Sequence, residues 1–291
     1  MDIRALLMGL AFAFIWSSAF TSAHIIVSYA PPLTALAARF LCSGLIGVGI
    51  ALAMGQSLRL TRAQWAATVL FGICQNALYL GLNFIALQQI EASLAAIIAS
   101  TMPLLVALAG WLIFRERLRP LAIAGLLAGV AGVALIMGMR ISGGVDLTGV
   151  ALCGVAVMSL TVATLAMRGV SSGDNLMMIV GLQMLVGAAV LVGPALVLEP
   201  FTVNWTWQLG AAFAYTTLIS GLVATYIWFL LVRRIGAVKA ATYHFLNPFF
   251  GVAVAAALLG ERLGLLDIAG VIIIALGILA VQRSKQLPTG M

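Results

Sequence analysis

Charge is scarce in this chain. Asp, Glu, Lys and Arg together make up 8% of its 291 residues, where a water-soluble domain carries about 25%. So few charges cannot clothe a surface in water, and with 64% hydrophobic residues the chain reads as an integral membrane protein. Histidine is almost missing: His24 and His244 are the only imidazoles. The three cysteines, Cys42, Cys74 and Cys153, fall inside apolar stretches. They read as small apolar fillers, neither a disulfide framework nor a metal set. The carboxylates are Asp2, Glu91, Glu116, Asp146, Asp174, Glu199, Glu261 and Asp267, all at expected helix ends or in loops. No acid therefore stands near the membrane midplane, where a proton-coupled carrier commonly keeps one. Gly-x-Ser-x-Gly, His-Glu-x-x-His and Asp-rich motifs are absent, which weighs against an intramembrane enzyme. No charged ring or selectivity loop argues for a channel. No cofactor, metal or nucleic-acid partner is implied.

What is present is a series of apolar runs, each near the roughly 20 residues that span a bilayer. Ten fit, at about 5–27, 33–54, 63–87, 92–114, 120–139, 147–168, 176–198, 206–232, 237–259 and 265–282. The first is too long to be a cleaved leader and carries Trp16, Ser17, Ser18 and His24, so it is expected to remain as helix 1. The links are short and leave no room for a soluble domain. The net charge of +7 is distributed unevenly. With the N-terminus inside, twelve basic residues fall on cytoplasmic ends: Arg4, Arg59, Arg62, Arg115, Arg117, Arg119, Arg168, Arg233, Arg234, Lys239, Arg283 and Lys285. Only Arg140 and Arg262 fall on the other side, and Arg39 lies within the second run. That asymmetry is the positive-inside pattern, so the basic residues set topology and both termini are expected in the cytoplasm.

The chain also repeats itself. Ile90 to Gly125 reads IEASLAAIIASTMPLLVALAGWLIFRERLRPLAIAG, and Ile235 to Gly270 reads IGAVKAATYHFLNPFFGVAVAAALLGERLGLLDIAG. An offset of 145, half the chain, aligns Pro103 with Pro248 and Glu116-Arg117-Leu118 with Glu261-Arg262-Leu263. From 90 to 132 there are 13 identities in 43 ungapped positions. Each half supplies five helices, and an odd number sends the second half in from the opposite side. The expected fold is all-α: ten transmembrane helices as two inverted five-helix repeats, an architecture used by many secondary transporters. The halves are 1–139 and 147–283, with a Gly-containing link at 140–146 and a tail at 284–291.

Polar and aromatic residues concentrate in helices 1, 3, 4, 6, 8 and 9, a set that the repeat maps onto itself. A central substrate cavity is expected from Trp16, Ser17, Asn76, Tyr79, Asn83, Thr101, Trp228, Tyr243, His244 and Asn247. Amides and hydroxyls could hydrogen-bond an amino or carboxylate group, and aromatic faces could stack on a ring or cation. The competing reading of each is a polar tie between helices. His244 beside Tyr243 and Asn247 is either a neutral imidazole bonded across helices or a proton carrier. Pro103 and Pro248 remove a backbone donor and free the carbonyls of Ala99 and His244; matched kinks there would be static bends or hinges. Arg39, two turns into helix 2, either snorkels to the outer interface or attracts an anion or forms an outward gate. The Glu-Arg pairs read as turn residues making local salt bridges of little individual worth. Helices 2, 5, 7 and 10 are blander. Helix 2 has Ser43, Gly47, Ala51 and Gly55 at every fourth position, a stripe that permits close helix approach.

The twin spacing from proline to Glu-Arg-Leu, the glycine-containing helix after each, and Tyr226-Ile227-Trp228-Phe229 leading to Arg233-Arg234-Ile235-Gly236-Ala237 resemble the drug/metabolite transporter superfamily, specifically its ten-helix EamA family. The likeness covers essentially the whole chain. It implies a carrier rather than an enzyme, in the bacterial inner membrane, moving a small-molecule substrate as a monomer or weak oligomer. Within the family the overall likeness is to exporters of aromatic amino acids and some organic cations. Other metabolites, drugs or lipids are the alternative cargoes.

Overall fold

The computed structural model describes residues 3–115, 119–166, 175–235, 240, 242–262 and 264–286. Glu116, Arg117, Leu118, Leu263, Arg168, Asp174, Gly236, Ala237, Lys239 and the tail from 287 lie outside the described residues. Among the described residues every regular element is helical. The helices are α1 (Ile3–Tyr29), α2 (Pro32–Ala53), α3 (Arg62–Phe71), α4 (Gly81–Ala86), α5 (Ala92–Ser100), α6 (Met102–Phe114) and α7 (Pro120–Ser142). They continue as α8 (Leu147–Ala166), α9 (Leu176–Leu198), α10 (Trp207–Ala214), α11 (Ala224–Ile235), α12 (Asn247–Leu259) and α13 (Leu265–Gln286). Two π-helical stretches, Gly72–Leu80 and Tyr215–Val223, join α3 to α4 and α10 to α11. A 3₁₀ turn at Thr242–Leu246 precedes α12.

By length and composition, eight helices among the described residues can cross a membrane, from Ile3–Tyr29 to Trp207–Trp228. Two more apolar helices, Asn247–Leu259 and Leu265–Val281, are shorter. The prolines do more than kink. The fourth run stops at Ser100 and restarts at Met102, with Pro103 in the first turn of the new helix. The ninth becomes a 3₁₀ turn that gives way to α12, with Pro248 in its first turn. Proline is at home there because a first-turn N–H has no intrahelical partner. At the first break Ser100 Oγ and Thr101 Oγ1 donate to the carbonyls of Ile97 and Ile98, each at 2.6 Å. The Thr101 hydroxyl adds a second donor to the Ile98 carbonyl, which also accepts from Thr101 N at 3.1 Å.

The chain divides into two compact units, and each draws helices from both sequence repeats. One comprises Met1–Thr21, Ile90–Val150 and Ile227–Met291. Its longest contact is α7 along α13, the bland fifth and tenth runs. A Cβ on Gly277 would lie 2.6 Å from the Gly125 carbonyl oxygen, and one on Gly125 2.6 Å from that of Gly277. Gly132 and Gly270 face each other likewise, at 2.9 and 3.1 Å. The offset of 145 turns Gly125 into Gly270 and Gly132 into Gly277. The two glycine contacts are therefore images of each other under the repeat.

The other unit comprises Ser22–Gln89 and Ala151–Tyr226, organised on α2 along α9, the second and seventh runs. The small-residue stripe of α2 divides its work. Gly47 brings the backbone against Gly181, where a Cβ on Gly181 would meet Val48 N at 2.7 Å. Ser43 donates to the Thr217 carbonyl at 3.1 Å, and Ala51 is buried. Gly55 ends the stripe at a positive φ of 75°.

Carboxylates close the helix starts. In the second unit Glu199 accepts from the backbone N–H of Leu33 and Thr34, at 2.7 and 2.8 Å, and from Thr34 Oγ1 at 2.8 Å, at the first turn of α2. In the first unit Glu261 accepts from Ala92 N at 2.8 Å and Ser93 N at 3.1 Å, at the first turn of α5. This corrects the expectation of a local Glu-Arg salt bridge. Glu261 caps a helix 169 residues away in sequence, because an anion beside open N–H groups and the positive end of a helix dipole is doubly favoured.

Two stability outcomes are expected. Gly277→Leu should abolish folding or lower the melting temperature steeply, whereas Gly138→Leu on α7, with nothing within 4 Å of its Cβ position, should leave it unchanged in detergent. Glu261→Gln keeps one acceptor oxygen and loses the charge, so thermal unfolding should report a loss of about 1 kcal/mol.

Candidate functional site

The first unit gathers an aromatic group around one ring that sequence reading did not single out. Phe12 is 2% exposed. Its centroid lies 5.6 Å from Trp16, 4.7 Å from Trp228 and 5.4 Å from His244. Trp228 and His244 meet edge to face at 5.1 Å. Phe12 and Trp16 are one helical turn apart, a spacing present in the sequence, but an apolar Phe in an apolar run carries no distinguishing mark. Tyr243 packs against a small core of Ala5, Leu231 and Ala240. Its ring occupies the space a Cβ on Gly9 would need, so Gly9 is what lets helix 1 pass.

His244 is buried, and its Nδ1 lies 2.9 Å from Asn247 Nδ2. Asn247 Oδ1, Ser17 Oγ and Ser93 Oγ are buried without a hydrogen-bond partner. Ser17 stands by Gly251, one turn beyond Asn247, whose missing side chain admits Ala96 of α5. Three unanswered polar atoms at the packing of α1, α5 and α12 are costly unless something else meets them. Thr101 is committed to the Ile98 carbonyl.

Of the ten expected cavity residues, this unit therefore holds Trp16, Ser17, Thr101, Trp228, Tyr243, His244 and Asn247. Asn76, Tyr79 and Asn83 belong to the other unit. There Asn76 Nδ2 donates to the Gln183 carbonyl at 2.9 Å, and its Cβ packs on Gly187. Asn83 Nδ2 donates to the Tyr79 carbonyl at 2.7 Å, and Asn83 Oδ1 accepts from Cys153 Sγ at 3.3 Å. Tyr79 is 1% exposed. Asn76 and Asn83 thus tie helices together within their unit, and Tyr79 is packed inside it.

The π-helical stretches were not foreseen, and they fall in the third and eighth runs, which are repeat mates. A π turn is rare and tends to mark functional positions. Both widen where side chains of the same unit bond to the helix's own carbonyls. Ser159 Oγ donates to the Cys74 carbonyl at 2.8 Å in the first stretch. In the second, Arg39 Nε donates to Thr216 O and Ser43 Oγ to Thr217 O, each at 3.1 Å. Arg39 does not snorkel: it is 5% exposed and held against the neighbouring helix. The cysteines are free, and among the described residues no three His, Cys, Asp or Glu side chains come together.

Helices of this length and apolarity, close glycine crossings and buried polar side chains define a multi-pass α-helical membrane protein. The model of the EamA-like transporter family matches residues 3–138 and again 147–282. The chain belongs to the EamA-like transporter family, within the drug/metabolite transporter superfamily. It is 28% identical over 261 residues to the uncharacterized transporter YvbV of Bacillus subtilis, covering 89% of this chain and 85% of that one. It is 32% identical over 139 residues to the aromatic amino acid exporter YddG of Ancylobacter novellus, a match that spans 48% of each. A crystal structure superposes over 99% of this chain and 100% of its own with a TM-score of 0.71, at 22% identity, which speaks for the fold.

Phe12→Ala should remove the ring shared by Trp16, Trp228 and His244. The expected cost is about 3–5 kcal/mol, read as a lower unfolding midpoint together with a red shift of tryptophan emission.

Proposed function

We propose that the protein is a secondary transporter that exports small metabolites, amino acids including aromatic ones first among them, across the bacterial inner membrane. It would work by alternating access through a substrate cavity, with ten transmembrane helices in two inverted repeats and both termini cytoplasmic. The observation that carries the cargo reading is the Phe12, Trp16, Trp228 and His244 group in a chain that matches an aromatic amino acid exporter over 48% of each. Aromatic faces and edges suit an indole or phenyl ring, and such pairs are worth about 0.5–1.5 kcal/mol each beyond area burial. The unpartnered oxygens of Ser17, Ser93 and Asn247 suit the amino group of such a cargo, as acceptors with no protein donor.

Placing all carboxylates at helix ends and loops supports a facilitated mechanism that follows the cargo gradient. The inverted repeat supports alternating access, because two related halves can exchange conformations. The helix breaks at Pro103 and Pro248 are the hinges of this reading. The basic asymmetry between loops supports the orientation. No cofactor is needed, and the working form is a monomer or weak oligomer.

Purified protein in proteoliposomes should take up labelled tryptophan, phenylalanine and threonine saturably, with a rate that does not change when a pH gradient is imposed. Trp228→Ala should weaken tryptophan uptake about tenfold through its half-saturation concentration, with threonine little changed. Uptake of none of the three would overturn the amino-acid reading. Uptake that follows the pH gradient would overturn the facilitated mechanism.

A further inference from the structure

We propose that Arg39 and the π-helical stretch Tyr215–Val223 form a binding site for a monocarboxylate. The inference rests on the transport reading only for the source of that carboxylate, which would be the transported solute. Arg39 sits seven residues beyond the start of α2, about 10 Å along the helix at 1.5 Å per residue. It is 5% exposed, so its head is not in water. A guanidinium offers five N–H donors and does not lose its charge in proteins. Here Nε donates to the Thr216 carbonyl at 3.1 Å, and the guanidinium carbon lies 5.0 Å from the Phe40 centroid. No carboxylate among the described residues pairs with it. An unpaired buried cation in a membrane-spanning helix is expensive and marks function by default.

The surroundings supply the rest of an anion receptor. Thr217 Oγ1 and Ser220 Oγ are buried at 3% and 5% exposure, and neither has a hydrogen-bond partner. Thr216, Thr217, Ser220 and Gly221 are among the buried residues of the π stretch, the face that packs on α2. Gly221 lets Arg39 and Ser43 come close to this face: a Cβ there would lie 3.7 Å from Arg39 Nη2 and 3.2 Å from Ser43 Oγ. A forked cation bonded to the stretch that carries two unpartnered hydroxyls offers the kinds of donor that the two oxygens of a carboxylate take, with bidentate geometry available to the guanidinium. The single buried charge selects a monoanion, since a dianion would leave a net negative charge unanswered and an amine would meet repulsion.

The test is binding to the purified full chain in detergent, by calorimetry and thermal shift. Acetate, propionate and indole-3-propionate are each compared with their neutral amides, in wild type and in Arg39→Gln, Arg39→Lys, Thr217→Val and Ser220→Ala. Wild type should bind at least one acid about tenfold or more tighter than its amide. Arg39→Gln should bring that ratio near one, and Arg39→Lys, which keeps charge without the fork, should fall between. Thr217→Val removes a hydroxyl with no protein partner, so it should fold with an unchanged melting temperature yet lose several-fold in acid binding. That split separates a receptor from a merely structural arginine, and it decides the matter even where Arg39→Gln fails to fold. Equal binding of acid and amide, binding of neither, or Thr217→Val behaving as wild type overturns the site. Arg39-dependent acid binding without amino-acid uptake would leave the site standing and the cargo reading fallen. Uptake of amino acids with no preference for acid over amide would do the reverse.

Discussion

Every backbone N–H and C=O in a lipid-embedded chain must find a partner inside the protein, because the hydrocarbon offers none. That constraint makes the described residues helical throughout their regular elements, and it then dictates what happens wherever a helix begins, breaks or widens. Glu199 and Glu261 answer the open N–H groups at the starts of α2 and α5. Ser100 and Thr101 donate to carbonyls beside the interruption before Pro103. Arg39, Ser43 and Ser159 answer carbonyls turned outward in the two π-helical stretches. These polar side chains are spent on backbone groups.

The remainder are therefore informative. Among the buried side chains described, Ser17, Thr21, Ser93 and Asn247 in one unit, and Thr217 and Ser220 in the other, stand out by having an oxygen with no partner. The first group lies among elements that also carry the aromatic rings, and the second flanks a buried guanidinium. One arrangement suits a ring with a donor, the other a carboxylate.

Much of the fold was legible in the sequence, and for identifiable reasons. Apolar runs of near-membrane length announce helices without ambiguity. The duplicated Pro and Glu-Arg-Leu anchors announced the repeat, and the family match to residues 3–138 and 147–282 follows the same halves. The blandness of helices 5 and 10 pointed to packing, and their glycines do bring the two backbones together. The role of Glu261 was not legible, since its partners Ala92 and Ser93 are distant in sequence and contribute only backbone N–H groups, which every residue has. The π stretches were hidden as well. Their cause is a donor from another helix reaching a carbonyl, and no local propensity encodes that.

The sequence by itself determined the class of protein, the rough position of its apolar runs, and the duplication. These depend on composition and spacing along one chain, quantities that lipid reads directly. Only the tertiary structure decided which polar residues tie helices and which remain unanswered. Asn76 and Asn83 look as suited to a cargo as Asn247 does in a string of letters. They differ because Gln183 meets Asn76 and Cys153 meets Asn83 from neighbouring helices, with Tyr79 meeting Asn83 one turn back on its own helix, while nothing meets Asn247 Oδ1. Hydrogen-bond satisfaction is a property of pairs of atoms in space, and the chain becomes specific about it only once it has folded.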